Sequence, residues 1–143
     1  MDAVSVGGEA GMIRHIEVKS RSRTEMIDIT PQVREVLRKA NITNGFCCLF
    51  VLHTTAGITV NEGADPAVQR DIITFLNRMV PNDLYFTHGE GNSDAHIKSS
   101  FMGVSQMLLV ENGMPVLGTW QAIYFCEFDG PRTRRLHLKV VAD

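Results

Sequence analysis

The chain has 143 residues, 44% of them hydrophobic and 21% charged, with 14 basic against 16 acidic residues and a net charge of −2. A length of this order is one domain, able to bury roughly 70% of its unfolded surface without disulfide staples. The composition excludes disordered, collagen-like and low-complexity chains, and the acidic balance argues against a protein that holds nucleic acid by counterion release.

Residues 1–11 are small, acidic and glycine-containing. They predict a flexible tail ahead of a single domain over 12–143, and they lack the charged-then-apolar layout of a signal peptide. Strands are expected over 12–19 and 25–29. Thr30-Pro31 reads as a helix start, a cap oxygen followed by proline, and Val33, Val36, Leu37 and Ala40 then fall on one helical face. Asn44-Gly45 ends that helix. Residues 45–53 are apolar without alternation up to His53, which predicts a strand buried on both faces. A second strand over 57–61 follows the small polar loop His53-Thr54-Thr55-Ala56, and a short hairpin of the two would place Asn61 toward the end far from His53.

Asp65-Pro66 repeats the cap-plus-proline signal, and Val68, Ile72, Phe75, Leu76 and Met79 form the clearest amphipathic stripe in the chain before Pro81 stops it. Residues 82–93 are rich in glycine, aspartate and asparagine. Asn92 or Ser93 then caps a short helix running to about Met102, with Gly103 as its C-cap. The remaining segments 106–111, 114–117, 119–127 and 134–141 read as strands. Asn112-Gly113 is a hairpin turn, and Leu136, Leu138 and Val140 alternate with Arg135, His137 and Lys139. The class is α+β, with mostly antiparallel sheets carrying the core and helices packed outside. The longest apolar run is far below the ~20 residues of a membrane helix. The three cysteines, Cys47, Cys48 and Cys126, lie inside apolar runs and read as inert core thiols of a reducing, cytoplasmic compartment.

Chemistry concentrates in a few segments. His53, His88 and His96 each sit at an element end or in a polar loop, and imidazoles beside a carboxylate suit a divalent ion. The spacing of His88 and His96 matches no zinc helix, so each histidine reads equally as a loop cap. A polar group ending an apolar strand needs a partner, so His53 either bonds Thr54 or Thr55 or serves as a general base. Glu62 reads either as a turn residue or, with Asn61, as part of a site shared between chains. The Asp129-Gly130-Pro131 turn either aims Arg132 and Arg134 at an anion or is a plain turn. No glycine-rich nucleotide loop or serine nucleophile elbow is present.

The segments His53-Thr54-Thr55-Ala56-Gly57, Asn61-Glu62, Asn92-Ser93-Asp94-Ala95-His96-Ile97-Lys98-Ser99, Leu117-Gly118-Thr119-Trp120-Gln121 and Glu127-Phe128-Asp129-Gly130-Pro131-Arg132 together resemble the YjbQ-like family, also called the secondary thiamine-phosphate synthase family. The resemblance runs over about residues 13–141. It implies a small two-sheet α+β sandwich, a homotrimer, and a weak transferase that joins a hydroxymethylpyrimidine diphosphate to a thiazole phosphate. On that reading His53, Glu62, Asp94 and Glu127 are the catalytic candidates. Asn61, Asn92, Lys98, Gln121, Asp129, Arg132 and Arg134 are the substrate-binding candidates. His53, His88 and His96, each at an element end, are expected from their positions to converge, with Asp94 or Glu127 close by, and to hold a divalent ion, zinc or magnesium, or a phosphate-like anion. Two alternatives stay open: a metal-dependent hydrolase built on the histidines, and a non-catalytic trimer that binds metal or phosphate. The partners expected are a small phosphorylated substrate and further copies of the chain, with no nucleic acid and no membrane.

Overall fold

A computed structural model describes residues 4–5, 13–83 and 85–143. Twelve elements follow in order: β1 (Val4–Ser5), β2 (Ile13–Lys19), β3 (Glu25–Asp28), α1 (Thr30–Ala40), β4 (Gly45–Val51), β5 (Ala56–Glu62), α2 (Pro66–Met79), α3 (Ser93–Met102), β6 (Ser105–Glu111), β7 (Met114–Pro115), β8 (Gln121–Glu127) and β9 (Thr133–Ala142). The expected flexible tail lies outside the described residues, apart from Val4–Ser5, which pair antiparallel with β2.

The strands form two antiparallel sheets, one of six strands in the order β1-β2-β9-β4-β6-β7 and one of three in the order β3-β8-β5. This is the expected α+β sandwich. The main core lies between the sheets, where Leu136, Leu138 and Val140 of β9 and Leu49 and Val51 of β4 meet Ile58 of β5 and Ile123 and Phe125 of β8, with Val33, Val36 and Leu37 of α1 packed in. A second cluster fills the opposite face of the three-stranded sheet, where Ala122, Tyr124, Cys126 and Phe128 meet Leu76 of α2 and Ala95 of α3. Among the described residues no helix is long and apolar enough to cross a membrane.

Several local expectations need correcting. The strand buried on both faces is β8, not β4: everything from Ala122 to Glu127 is buried, because this strand lies between two cores. In β4 only Cys47, Leu49 and Val51 are buried, and Phe50 on the other face is exposed. β4 and β5 do not pair as a hairpin. They belong to different sheets, and the loop after His53 crosses from one to the other. Thr30 does not cap α1. Ile29 takes that position, while the Thr30 hydroxyl accepts from the Ile123 amide at 2.8 Å and ties α1 to β8. The stripe of α2 is only partly covered, with Phe75 63% exposed. Asp65 does cap α2, accepting from the Ala67 amide at 2.9 Å. The Asn112-Gly113 turn has φ of 54° and 74°, the left-handed pair that a two-residue hairpin needs.

Candidate functional site

β4 and β5 supply one wall of a polar depression where the chain crosses between the sheets, and the segment leading into α3 supplies the second. The turn joining β8 to β9 supplies the third. The depression has a volume of about 430 Å³ and is lined by His53 and Thr54 on the first wall, His88, Asn92 and His96 on the second, and Asp129, Arg132 and Arg134 on the third. The three histidines therefore do come together. His88 and His96 meet edge to face with ring centroids 5.3 Å apart.

His53 is half-buried, and its Nε2 accepts the Arg135 backbone N–H at 2.8 Å. With Nε2 committed as an acceptor, the neutral ring carries its proton on Nδ1. Burial and the neighbouring Arg134 charge lower its pKa, against the opposing pull of Glu127, so the ring is held neutral. What it offers an incoming group is an N–H donor, not a base.

The carboxylates expected beside the histidines are spent elsewhere. Glu127 is fully buried and receives both the Nε and Nη2 of Arg134, the Ser20 hydroxyl at 2.6 Å and the Asp129 amide at 3.0 Å. Burial alone pushes its carboxyl up, but these bonds together outweigh it and hold the group below the usual carboxylate range. Arg134 is buried with it and also donates to the Thr55 hydroxyl at 2.8 Å, so its charge is balanced inside the protein. Asp94 is likewise buried, in a bidentate pair with Arg23 at 2.9 and 3.1 Å and within 3.4 Å of the buried Lys98 Nζ. Burial raises its pKa, and the Arg23 bonds and charge more than reverse this. Lys98 completes the chain of contacts by donating to Asn77 at 2.7 Å. Glu127, Asp94 and Lys98 are thus the frame behind the walls rather than the lining, and Arg134 both lines the depression and is tied into that frame.

The frame depends on two residues that the sequence reading passed over. Ser20 and Arg23 lie in the loop between β2 and β3. Besides binding Glu127, the Ser20 hydroxyl accepts from the Arg132 amide at 2.9 Å. The Arg23 carbonyl accepts from Gly130 N–H at 3.0 Å. Gly130 is needed for this approach, since a Cβ there would stand 2.4 Å from the Ser22 carbonyl oxygen. No local pattern marks this loop, because its partners lie about a hundred residues away in sequence. Asn92, expected as a helix cap, makes no capping bond. It donates to Asp129 Oδ2 at 2.7 Å, and Asp129 in turn accepts from Arg132 at 3.1 Å.

Asn61, Glu62 and Gln121 lie elsewhere. Ala56 pairs with Glu127 beside the depression, whereas Glu62 pairs with Gln121 at the opposite end of the same two strands, roughly 20 Å away at the usual rise per residue. Nor is a ligand set for zinc or magnesium assembled. Among the described residues no three His, Cys, Asp or Glu side chains stand close enough to share an ion, and His53 Nε2, Asp94 and Glu127 are already committed. The residues present do not fit the expected ion.

Two packed antiparallel sheets, with α1 packed into the core between them and α2 and α3 on the opposite face of the three-stranded sheet, and a histidine- and arginine-lined depression where the chain crosses between the sheets, define a small α+β sandwich with an anion-compatible site. The chain belongs to the YjbQ-like UPF0047 family, whose model, described as UPF0047 protein YjbQ-like, matches residues 14–143. It is 48% identical over 132 residues to a UPF0047 protein of Methanocaldococcus jannaschii, covering 92% of this chain and 96% of that protein. It is also 48% identical over 131 residues to UPF0047 protein YugU of Bacillus subtilis, covering 91% and 99%. Among solved structures, a YjbQ/UPF0047 protein of Clostridium acetobutylicum superposes with a TM-score of 0.86 at 46% identity, covering 89% of this chain and 98% of that one. A protein of Aeropyrum pernix superposes with a TM-score of 0.87 at 34% identity, covering 92% and 99%.

Proposed function

We propose that the depression binds the phosphate groups of a small phosphorylated substrate, and that the chain is a transferase of the thiamine-phosphate synthase type. One observation carries this reading. His53, restricted to N–H donation, shares a single depression with His88, His96 and Arg132, while the expected catalytic carboxylates Asp94 and Glu127 are locked in ion pairs. Such a site suits an anion. The transfer has that requirement. A thiazole ring nitrogen attacks the pyrimidine methylene carbon, the carbon–oxygen bond to diphosphate breaks, and diphosphate leaves with the electron pair. No proton is removed, and the charge to be stabilised collects on the departing diphosphate. A hydrolase would need a base to activate water, a part that neither His53 Nε2 nor the paired Asp94 and Glu127 can play.

We also infer that copies of the chain assemble, as a homotrimer, through the outer face of the six-stranded sheet. That face leaves Met107 65% and Leu109 63% exposed beside Phe50, an apolar patch of the kind that marks protein contacts.

Calorimetric titration with diphosphate tests the site. Wild type is expected to bind, and Arg132→Ala and His96→Ala are each expected to weaken binding by about tenfold, the loss of one charge-assisted bond. Incubation with both phosphorylated substrates is expected to release diphosphate and form thiamine phosphate. Wild-type protein that fails to bind diphosphate overturns the reading.

A further inference from the structure

The far end of β5 and β8 holds polar and aromatic residues that the histidine depression does not use. There, a second depression of about 300 Å³ is lined by Trp120, Gln121, Gly63, Asp28 and Arg34. We propose that it is a separate small-ligand site for a flat nitrogen heterocycle carrying a phosphate, with Trp120 stacking on the ring and Arg34 holding the anion.

Trp120 is 65% exposed, yet its backbone is pinned: its carbonyl accepts from Gly63 N–H at 2.7 Å. The next residue closes a turn on both sides, Gln121 N–H donating to the Gly118 carbonyl at 3.0 Å and Gln121 Oε1 accepting from Gly118 N–H at 2.8 Å. A large aromatic face is thus presented to solvent from a backbone already held in place, which is how stacking platforms for bases are built. Fixing Oε1 leaves the Gln121 NH₂ as the donor still open to a ligand. Among the described residues Arg34 makes no hydrogen bond or ion pair, in contrast to Arg38 one turn later, which is bound to Glu35. Asp28 commits Oδ1 to the Thr30 amide at 2.9 Å and keeps its other oxygen for a ring N–H. A platform, a free guanidinium, an amide donor and a carboxylate acceptor together match an aromatic ring with polar edges and one anionic group. The proposal does not depend on the transferase reading, since this depression and the histidine depression share no lining residue.

Trp120 is the one tryptophan in the sequence, so intrinsic fluorescence reads this site directly. The probes are cytidine monophosphate, cytidine and ribose 5-phosphate. Saturable quenching is expected with the nucleotide, weaker quenching with the nucleoside and none with the sugar phosphate. Arg34 is exposed on α1, so Arg34→Ala folds normally, and it is expected to raise the apparent Kd for the nucleotide by about tenfold. His96→Ala is expected to leave quenching unchanged. Three results overturn the proposal: no saturable quenching by the nucleotide; quenching lost in His96→Ala but kept in Arg34→Ala, which would put the ligand in the histidine depression; or ligand-free emission that is blue-shifted and follows protein concentration, which would mean that a second copy covers Trp120.

Discussion

Glu127 shows at the scale of one side chain why apparent catalytic residues turn out to be structural. The family resemblance made it a catalytic candidate, but burial of its charge without partners would be prohibitive, and Arg134 supplies the counter-charge while Ser20 and the Asp129 amide supply hydrogen bonds. Removing one partner leaves the other charge buried and alone. Arg134→Ala is therefore expected to destabilise the fold by about 3–5 kcal/mol in denaturant titration. The folded pKa of Glu127 lies below its unfolded value of roughly 4.3, so its stabilisation is complete above that pH and is lost as pH falls through the folded value. Asp94 behaves the same way. Stability is expected to be flat at and above neutrality, to decline modestly as pH falls below about 6.5, where the unfolded chain protonates His53 more readily than the folded one, and to fall steeply below about pH 4; thermal melts between pH 3 and 8 check this, and stability unchanged down to pH 3 would contradict it. The cysteines divide similarly. Burial pushes the Cys47 and Cys126 thiols up to about 12, while Cys48 is half-buried on the outer face of its sheet. A thiol reagent at neutral pH is expected to leave Cys47 and Cys126 until the protein unfolds and to reach Cys48, which lies opposite Met107, only when the outer face is uncovered, as in Leu109→Lys.

The elements were legible in the sequence wherever one local rule decided them. Proline beside a cap residue placed α2, Asn-Gly placed the turn between β6 and β7, and strict alternation placed β9 with its dry and wet faces. Illegible features were set by partners distant in the chain. Which apolar strand lies between two cores depends on the order β3-β8-β5, and nothing local to residues 45–51 or 121–127 encodes that order. The gathering of His53, His88 and His96 could be anticipated because each follows or precedes an element end. The loss of Asp94 to an ion pair could not, because Arg23 belongs to an undistinguished loop, and that of Glu127 could not, because its partner Arg134 reads locally as an arginine free to meet an anion. That loop sets the site's dimensions. Arg23 grips Asp94 on α3 and stands 4.0 Å from Asp129, joining the wall that bears His96 to the wall that bears Arg132. Arg23→Ala is expected to weaken diphosphate binding about tenfold without removing any lining residue, and Arg23→Lys to restore part of it, since one of the two Asp94 bonds can re-form. Equal affinities for wild type and Arg23→Ala would show that the walls hold their spacing without it.

For the molecule as a whole, the six-stranded sheet is asymmetric. Its inner face is closed by the core, and its outer face carries Met107, Leu109 and Phe50 among the polar side chains of β9. Light scattering at micromolar concentration is expected to give three times the chain mass, and Leu109→Lys to lower it to one. A single-chain mass for wild type would refute the assembly. Two layers of sheet and one of helices are threaded on β8, whose Ile123 and Phe125 belong to one core and whose Tyr124 and Cys126 belong to the other. A strand placed this way cannot expose its backbone by the loosening of α2 or α3 alone, because the six-stranded sheet still covers its other face. Its amide protons are therefore expected to exchange with deuterated solvent through complete unfolding and no smaller opening. The exchange rates of Ile123, Tyr124 and Phe125 then measure the global free energy of unfolding in the absence of denaturant, and the same three amides report the full cost of any substitution made elsewhere in the chain.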